Sequence, residues 1–259
     1  MRQSIKVLLQ VLIFSGCTST INAADKRTWL AGDHHIHSEY SVGWEETDPP
    51  TPIIGGDAIY SITRNAEMAR EYGLDWMVAT DHGGPKHSKI NLEMAYPEIL
   101  AARETVPEII LFAGLELNTP GADHSSIIVP HTQDEADKLY QYESRFDKRE
   151  SWPVDTSRDD ESMMLEALEY VRQWNEKPVI IAHHPSRSAK GLGEYGQTTP
   201  TELRNWNNTA PDVAVGMEGA PGHQAAEFAS NEKKDIYPAW VLHVAPMDEA
   251  IRRWADLTR

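Results

Sequence analysis

The sequence predicts an α/β protein with parallel strands, and the number of strand–helix repeats points to a barrel. Short runs rich in Val, Ile, Leu and aromatics, each bounded by Gly, Pro or polar residues, recur along the chain. Amphipathic runs at helical spacing lie between several of them. The 259 residues, 40% hydrophobic and 25% charged, suit one domain of barrel or sandwich size or two small ones, and exclude a disordered chain or a multi-span membrane protein.

The first element, residues 1–24, reads as a secretory signal. Arg2 and Lys6 precede an apolar run over residues 7–14, interrupted only by Gln10, and small or polar residues follow through Ala23 and Ala24. At about eight residues the run is too short to span a bilayer. Cys17, the sole cysteine, follows Phe14-Ser15-Gly16, a resemblance to a lipoprotein cleavage box with Phe14 where Leu is usual. Two readings stay open: a lipid anchor on Cys17, or a cut after Ala23 or Ala24 that discards it. Either way an exported protein is expected, periplasmic or membrane-anchored if bacterial, with residues 25–259 as its domain. A single cysteine also excludes an intrachain disulfide framework and a cysteine-based zinc finger.

Strands are expected over residues 28–36, 75–80, 109–117, 125–129, 179–183, 213–217 and 240–244. A helix over 57–72 places Ile59, Ile62, Ala66 and Ala69 on one face and stops at Gly73. A second, over 160–174, carries Met164, Leu165, Leu168, Val171 and Trp174 at helical spacing. Thr199-Pro200 opens a third. Residues 141–158 are polar and read as a loop or insertion. No internal repeat or low-complexity tract is evident.

Lys and Arg total 24 against 40 Asp and Glu, a formal charge of −16. Such a surface repels phosphate backbones, so coating nucleic acid is disfavoured unless metal ions supply positive charge. The eleven histidines carry the functional signal. The first strand closes on Asp33-His34-His35-Ile36-His37-Ser38. Alternation puts Asp33, His35 and His37 on one face and His34 on the other. The second ends Thr80-Asp81-His82-Gly83-Gly84, with glycines that let the loop turn sharply. The third carries Glu116 inside an apolar run, costly unless paired or metal-bound. Asp123-His124 opens the fourth, and His183-His184-Pro185 ends the fifth. Each imidazole alone is consistent with an ordinary core or surface histidine. Their convergence on strand ends, where α/β barrels place their active sites, points to a metal site.

The order Asp33-x-His35-x-His37-Ser38, Thr80-Asp81-His82, Gly114-x-Glu116, His124, His184-Pro185 resembles the PHP (polymerase and histidinol phosphatase) family over residues 29–190. The resemblance implies a distorted seven-stranded (β/α) barrel that hydrolyses a phosphoester with two or three divalent ions, Zn, Mn or Fe. It implies that His35 and His37 hold one metal and His82 another, that Glu116 bridges, and that His124 with His183 or His184 completes a third site. Proximity to Pro185 favours His184, and alternation forbids both pointing inward. Asp33 is expected to orient a ligand imidazole. Arg187, and also Lys86 and His87, are candidates for phosphate contact, against a plain reading as solvated loop residues. A small-molecule phosphoester is the expected partner.

Two departures stand out. Where many members carry a His or Asp a few residues after the first motif, this chain has Val42 and Gly43, with Glu45 or Glu46 as candidate replacements. The family's closing Asp-x-His motif is missing after Glu218, which implies a barrel incomplete or altered at its C-terminal end and slow turnover. His223 is a candidate substrate contact or substitute ligand. His243 lacks an Asp partner, and His131 reads as a surface residue. Rival readings are an amidohydrolase-like metal hydrolase, into which Glu116 fits poorly, and a degenerate metal-binding protein.

Overall fold

The computed structural model describes residues 29–185, 187–188 and 195–218. The expected leader with Cys17, the expected strand at 240–244, and both His223 and His243 lie outside the described residues. The chain is mixed α/β. Six strands form one curled sheet in the order β1 (Gly32–Ile36), β4 (Trp76–Ala79), β5 (Ile110–Asn118), β6 (His124–Ile128), β7 (Val179–His183), β8 (Ala214–Met217). A two-stranded hairpin, β2 (Gly43–Trp44) with β3 (Pro52–Ile53), sits between β1 and the first helix.

Pairing is parallel for β1–β4, β4–β5 and β7–β8, but β6 runs antiparallel to both neighbours. This corrects the all-parallel expectation. β5 ends at Asn118 and β6 starts at His124, which leaves only residues 119–123 between them. So short a connection makes a hairpin, because a parallel crossover needs a dozen residues or more. The reversal has a functional result: the start of β6 lies beside the ends of β5 and β7, with His124 opposite both Asn118 and His183.

The helix α1 (Ile62–Glu71) begins later than position 57, because Ser61 caps it by accepting from the Arg64 amide at 3.1 Å. It ends as expected at Gly73, which takes φ +79° while the amides of Gly73 and Leu74 return to the carbonyls of Arg70 and Ala69. Residues 87–105, where the pattern assigns no element, form α2 (His87–Ile90), a π-helical turn (Asn91–Ala95) and α3 (Tyr96–Thr105). Part of the supposed polar loop at 141–158 is the end of α4 (Glu135–Phe146), which buries Leu139, Tyr142 and Phe146. α5 (Glu161–Arg172) and α6 (Pro200–Thr209) fall where expected, the latter opened by a Thr199–Glu202 capping box.

The core packs Ile62, Ala66, Met77, Ile99, Leu111, Ile127, Met164, Leu168, Ile180 and Trp206 between the sheet and these helices. Leu115 and Leu117 are also fully buried. Glu116 lies between them in sequence, so alternation turns it to the other face of β5, away from that packing.

Candidate metal centre

Glu116 is the hub of the site, 2% exposed. Its Oε1 lies 2.8 Å from His183 Nδ1, 3.0 Å from His124 Nδ1, 3.1 Å from His184 Nε2 and 3.4 Å from His35 Nε2. Its Oε2 faces a different set, His37 Nε2 at 3.3 Å and His82 Nε2 at 3.8 Å. Burial pushes the Glu116 pKa up, but hydrogen bonds from His124, His183, His184 and His35 outweigh it and hold the carboxyl well below its ordinary value. The carboxylate therefore stays charged in a nearly dry place.

The two edges of the sheet contribute directly. β1 brings His35 and His37, whose Nε2 atoms are 2.8 Å apart. Beyond the end of β8, Glu218 accepts from His35 Nδ1 at 2.6 Å and from the His184 amide at 2.7 Å. Asp33 does not orient an imidazole: it is exposed, and its carboxylate takes the His35 backbone amide at 2.9 Å. The expected orienting contact comes from Glu218 instead.

Both His183 and His184 turn to Glu116, against the strict alternation expected of them. The reason is local: β7 stops at His183, and His184 adopts φ +27°, outside strand geometry, so its side chain swings back to the same side. Asp123 extends the cluster, 3.8 Å from His184 Nδ1 and 2.8 Å from Arg187 Nη2. The third-strand and fifth-strand motifs thus meet, with Arg187 half-exposed at the rim.

Neither Glu45 nor Glu46 fills the gap left by Val42 and Gly43; both are exposed. The nearby carboxylate is Asp57, with Oδ2 3.3 Å from His82 Nε2 and 3.6 Å from His37 Nδ1. The hydrogen bond with His82, against the opposing pull of burial, holds the Asp57 carboxyl below its ordinary value. Asp57 and Glu218 are the site residues that the motif reading misses. Asp57 looks like the start of a helix, and Glu218 ends a strand without a neighbouring His.

His87 is not a phosphate contact. It is 1% exposed, and its ring bonds Glu143 Oε1 at 2.6 Å and the Tyr40 carbonyl at 2.8 Å. Gly83 is needed for close packing rather than a left-handed turn, since a Cβ there would lie 2.6 Å from His87 Cγ. Lys86 and His131 are exposed.

The protons and lone pairs around His35 and His37 suit a cation. Ser41 gives its hydroxyl proton to Asp81 Oδ1 at 2.8 Å, so toward His37 Nδ1, also 2.8 Å away, it can only accept. His37 therefore carries its proton on Nδ1 and a lone pair on Nε2. Glu218 likewise draws a proton to His35 Nδ1, which turns a second lone pair toward the first. Two facing lone pairs need a cation between them. Burial lowers the His35 pKa, but hydrogen bonds to Glu116 and Glu218 and their charges carry it to about 10. Burial takes His37 down to about 3, helped by the charges of His82 and His35 against that of Glu116. One proton shared by the pair thus fills the role a metal would take. Glu116 Oε1 adds to the case, because three imidazole nitrogens within 3.1 Å exceed its two lone pairs.

Four groups among the described residues bring ligand atoms within 4.8 Å of one another: His35, Glu116, His183 and His184; His37, Asp57 and His82; Asp123, His124 and His184; and His34, His183 and Glu218. Imidazole and carboxylate donors of this kind suit zinc and its first-row neighbours. No family model, curated protein or solved structure matches the chain.

Proposed function

We propose that this protein is an exported, metal-dependent phosphoesterase of the PHP type that hydrolyses a small-molecule phosphoester. The observation that carries the reading is Glu116, whose two carboxylate oxygens face two different sets of imidazoles, as a carboxylate shared between cations must. The order of the motifs along the chain supports the family, and the curled sheet is read as the larger part of a PHP-type barrel. A central glutamate also fits this chemistry better than an amidohydrolase arrangement.

His35 and His37 would hold one ion, His82 with Asp57 a second, with Glu116 shared between them, and Asp123 with His124 and His184 would hold a third. Bound there, divalent cations would supply Lewis acidity for the phosphoryl oxygens and water acidified toward neutral pH. The chain's own residues do the positioning. Asp81, through Ser41, keeps the His37 proton on Nδ1; Glu218 does the same for His35. Arg187, steadied by Asp123, presents a guanidinium whose remaining donors suit a phosphate at the rim. Asp57 beside His82 and His37, and Glu218 beside His35, supply carboxylates that the motif order does not, which favours a working site over a degenerate one.

Incubation of metal-loaded protein with p-nitrophenyl phosphate and bis(p-nitrophenyl) phosphate tests the reading. Turnover lost on chelation and restored by Mn²⁺ or Zn²⁺ is expected. Full metal occupancy with no turnover of any monoester or diester in a broad screen would sink it.

A further inference from the structure

The chain doubles its histidine at two of its motifs, His34-His35 and His183-His184; the central cluster takes up His35, His184 and one nitrogen of His183, and leaves over His34 and the second nitrogen of His183. His34 lies beside His35, with ring centroids 6.3 Å apart, and against His183, with ring centroids 5.6 Å apart. His183 uses Nδ1 on Glu116, while its Nε2 is buried with no hydrogen-bond partner among the described residues. His34 Nδ1 is likewise buried with no hydrogen-bond partner among the described residues. Glu218 completes the group, its Oε1 3.9 Å from His34 Nε2, and one ligand atom from each of the three lies within 4.8 Å of the others.

We propose that His34, His183 and Glu218 form a further binding site for a zinc-class cation, adjoining the central cluster, that clasps the two outer strands of the described sheet. Two imidazoles and one carboxylate are a recurrent zinc donor set, with bonds of about 2.0–2.2 Å that three ligands so placed can reach by small side-chain adjustments. His183 is fully buried and gives the site a rigid floor. The His34 side chain is 26% exposed and gives it an opening to solvent, through which an ion can enter and a water can complete its coordination.

The position explains the purpose. Among the described residues β1 and β8 are the two outer strands of the sheet and do not pair with each other. His34 stands on β1, His183 on β7 beside β8, and Glu218 directly after β8. A cation held by all three joins the outer strands that backbone hydrogen bonds among the described residues leave apart. The site requires no catalytic turnover, so it stands or falls independently of the phosphoesterase reading.

The test counts zinc. Chelator-stripped protein is reloaded with Zn²⁺ alone, desalted and analysed for metal per chain, for the native chain, His34→Ala and His34→Gln. Both variants alter a partly exposed side chain, and Gln keeps its bulk and polarity. Each should bind one equivalent fewer than the native chain while retaining the remaining equivalents. Zn²⁺ should also slow amide exchange across residues 32–36 and 214–217 in the native chain, more than in either variant. Equal zinc content in all three proteins, or a loss of every equivalent together, overturns the further site. Loss of one equivalent without any change in exchange at the two edges overturns the clasp.

Discussion

Glu218 Oε1 and His35 Nδ1 lie 2.6 Å apart although 183 residues separate them, and they stand at opposite edges of one sheet. The contact links the two sides with one side-chain hydrogen bond and fixes which nitrogen of His35 faces the centre. Glu218→Gln keeps the shape but removes the charge, and its amide oxygen binds the His35 proton less strongly. Metal affinity of the central cluster should fall about 10–100-fold, the usual cost of losing an orienting partner. Competition against a chelator of known affinity measures it; unchanged affinity would mean that Glu218 does not orient His35.

Glu116→Gln should be the most damaging change to a single ligand. A shared carboxylate serves two cations, so its neutralisation lowers occupancy at both rather than at one. Elemental analysis after reloading with Mn²⁺ or Zn²⁺ reads the result. A variant with the native metal content would exclude the shared role.

Ser41→Ala removes the hydroxyl that links Asp81 to His37. His37 would then be free to carry its proton on Nε2, where it blocks the metal. Weaker metal binding by about tenfold is expected, with a modest fall in the thermal midpoint of the metal-free chain from the hydrogen bonds lost to Asp81 and the His82 amide. A large loss of stability with unchanged metal affinity would assign Ser41 to folding alone.

A second buried cluster predicts a pH dependence of stability. His87 faces two acceptors, the Glu143 carboxylate and the Tyr40 carbonyl, so both ring nitrogens carry protons. Burial opposes this charge, but Glu143 carries the pKa up from 6.5 to about 9. Glu150, which accepts from the Ser88 hydroxyl, is pushed from 4.5 to about 7 by burial and by the charge of Glu143. Both folded-state values lie above the unfolded ones. Each group therefore contributes stability below its unfolded pKa that is lost as pH rises through its folded pKa. Stability should decline from these groups between about pH 5 and 9. Glu150→Gln cannot ionise, so relative to the native chain its melting temperature should be higher at pH 8 than at pH 5. A difference that stays flat across this range would contradict the account.

Much of the fold was legible because strands and helices carry opposite hydrophobic periods. The run at 179–183 and the glycine stop at Gly73 needed no tertiary information. The helices over 87–105 were hidden: α3 has no clear apolar stripe, with Ile99 and Ala102 buried but Leu100 exposed. The five-residue span between Glu116's strand and His124's strand already argued for a hairpin, and connection length was the better guide there than strand–helix alternation. At the site, histidines adjacent to strand ends were visible as a pattern. Asp57 was not, since its place beside His82 depends on a loop folding back across the sheet end. His183 and His184 both reach Glu116 only because one backbone angle leaves the strand region, which no side-chain pattern records.

The same hairpin sets an order of assembly. Glu116 and His124 are eight residues apart, so their half of the centre can come together by closing a short loop. The partner of His35 is 183 residues away and becomes available only when nearly all of the described chain has been made. Because closing a long loop costs more entropy, the seam between β1 and β8 should be the last part of the sheet to form on refolding. Pulsed hydrogen exchange checks this: protection across 110–118 and 124–128 should precede protection across 32–36 and 214–217. A nascent or partly unfolded chain would then expose its histidines in stages, with the β5–β6 pair engaged while His34 and His35 still await Glu218.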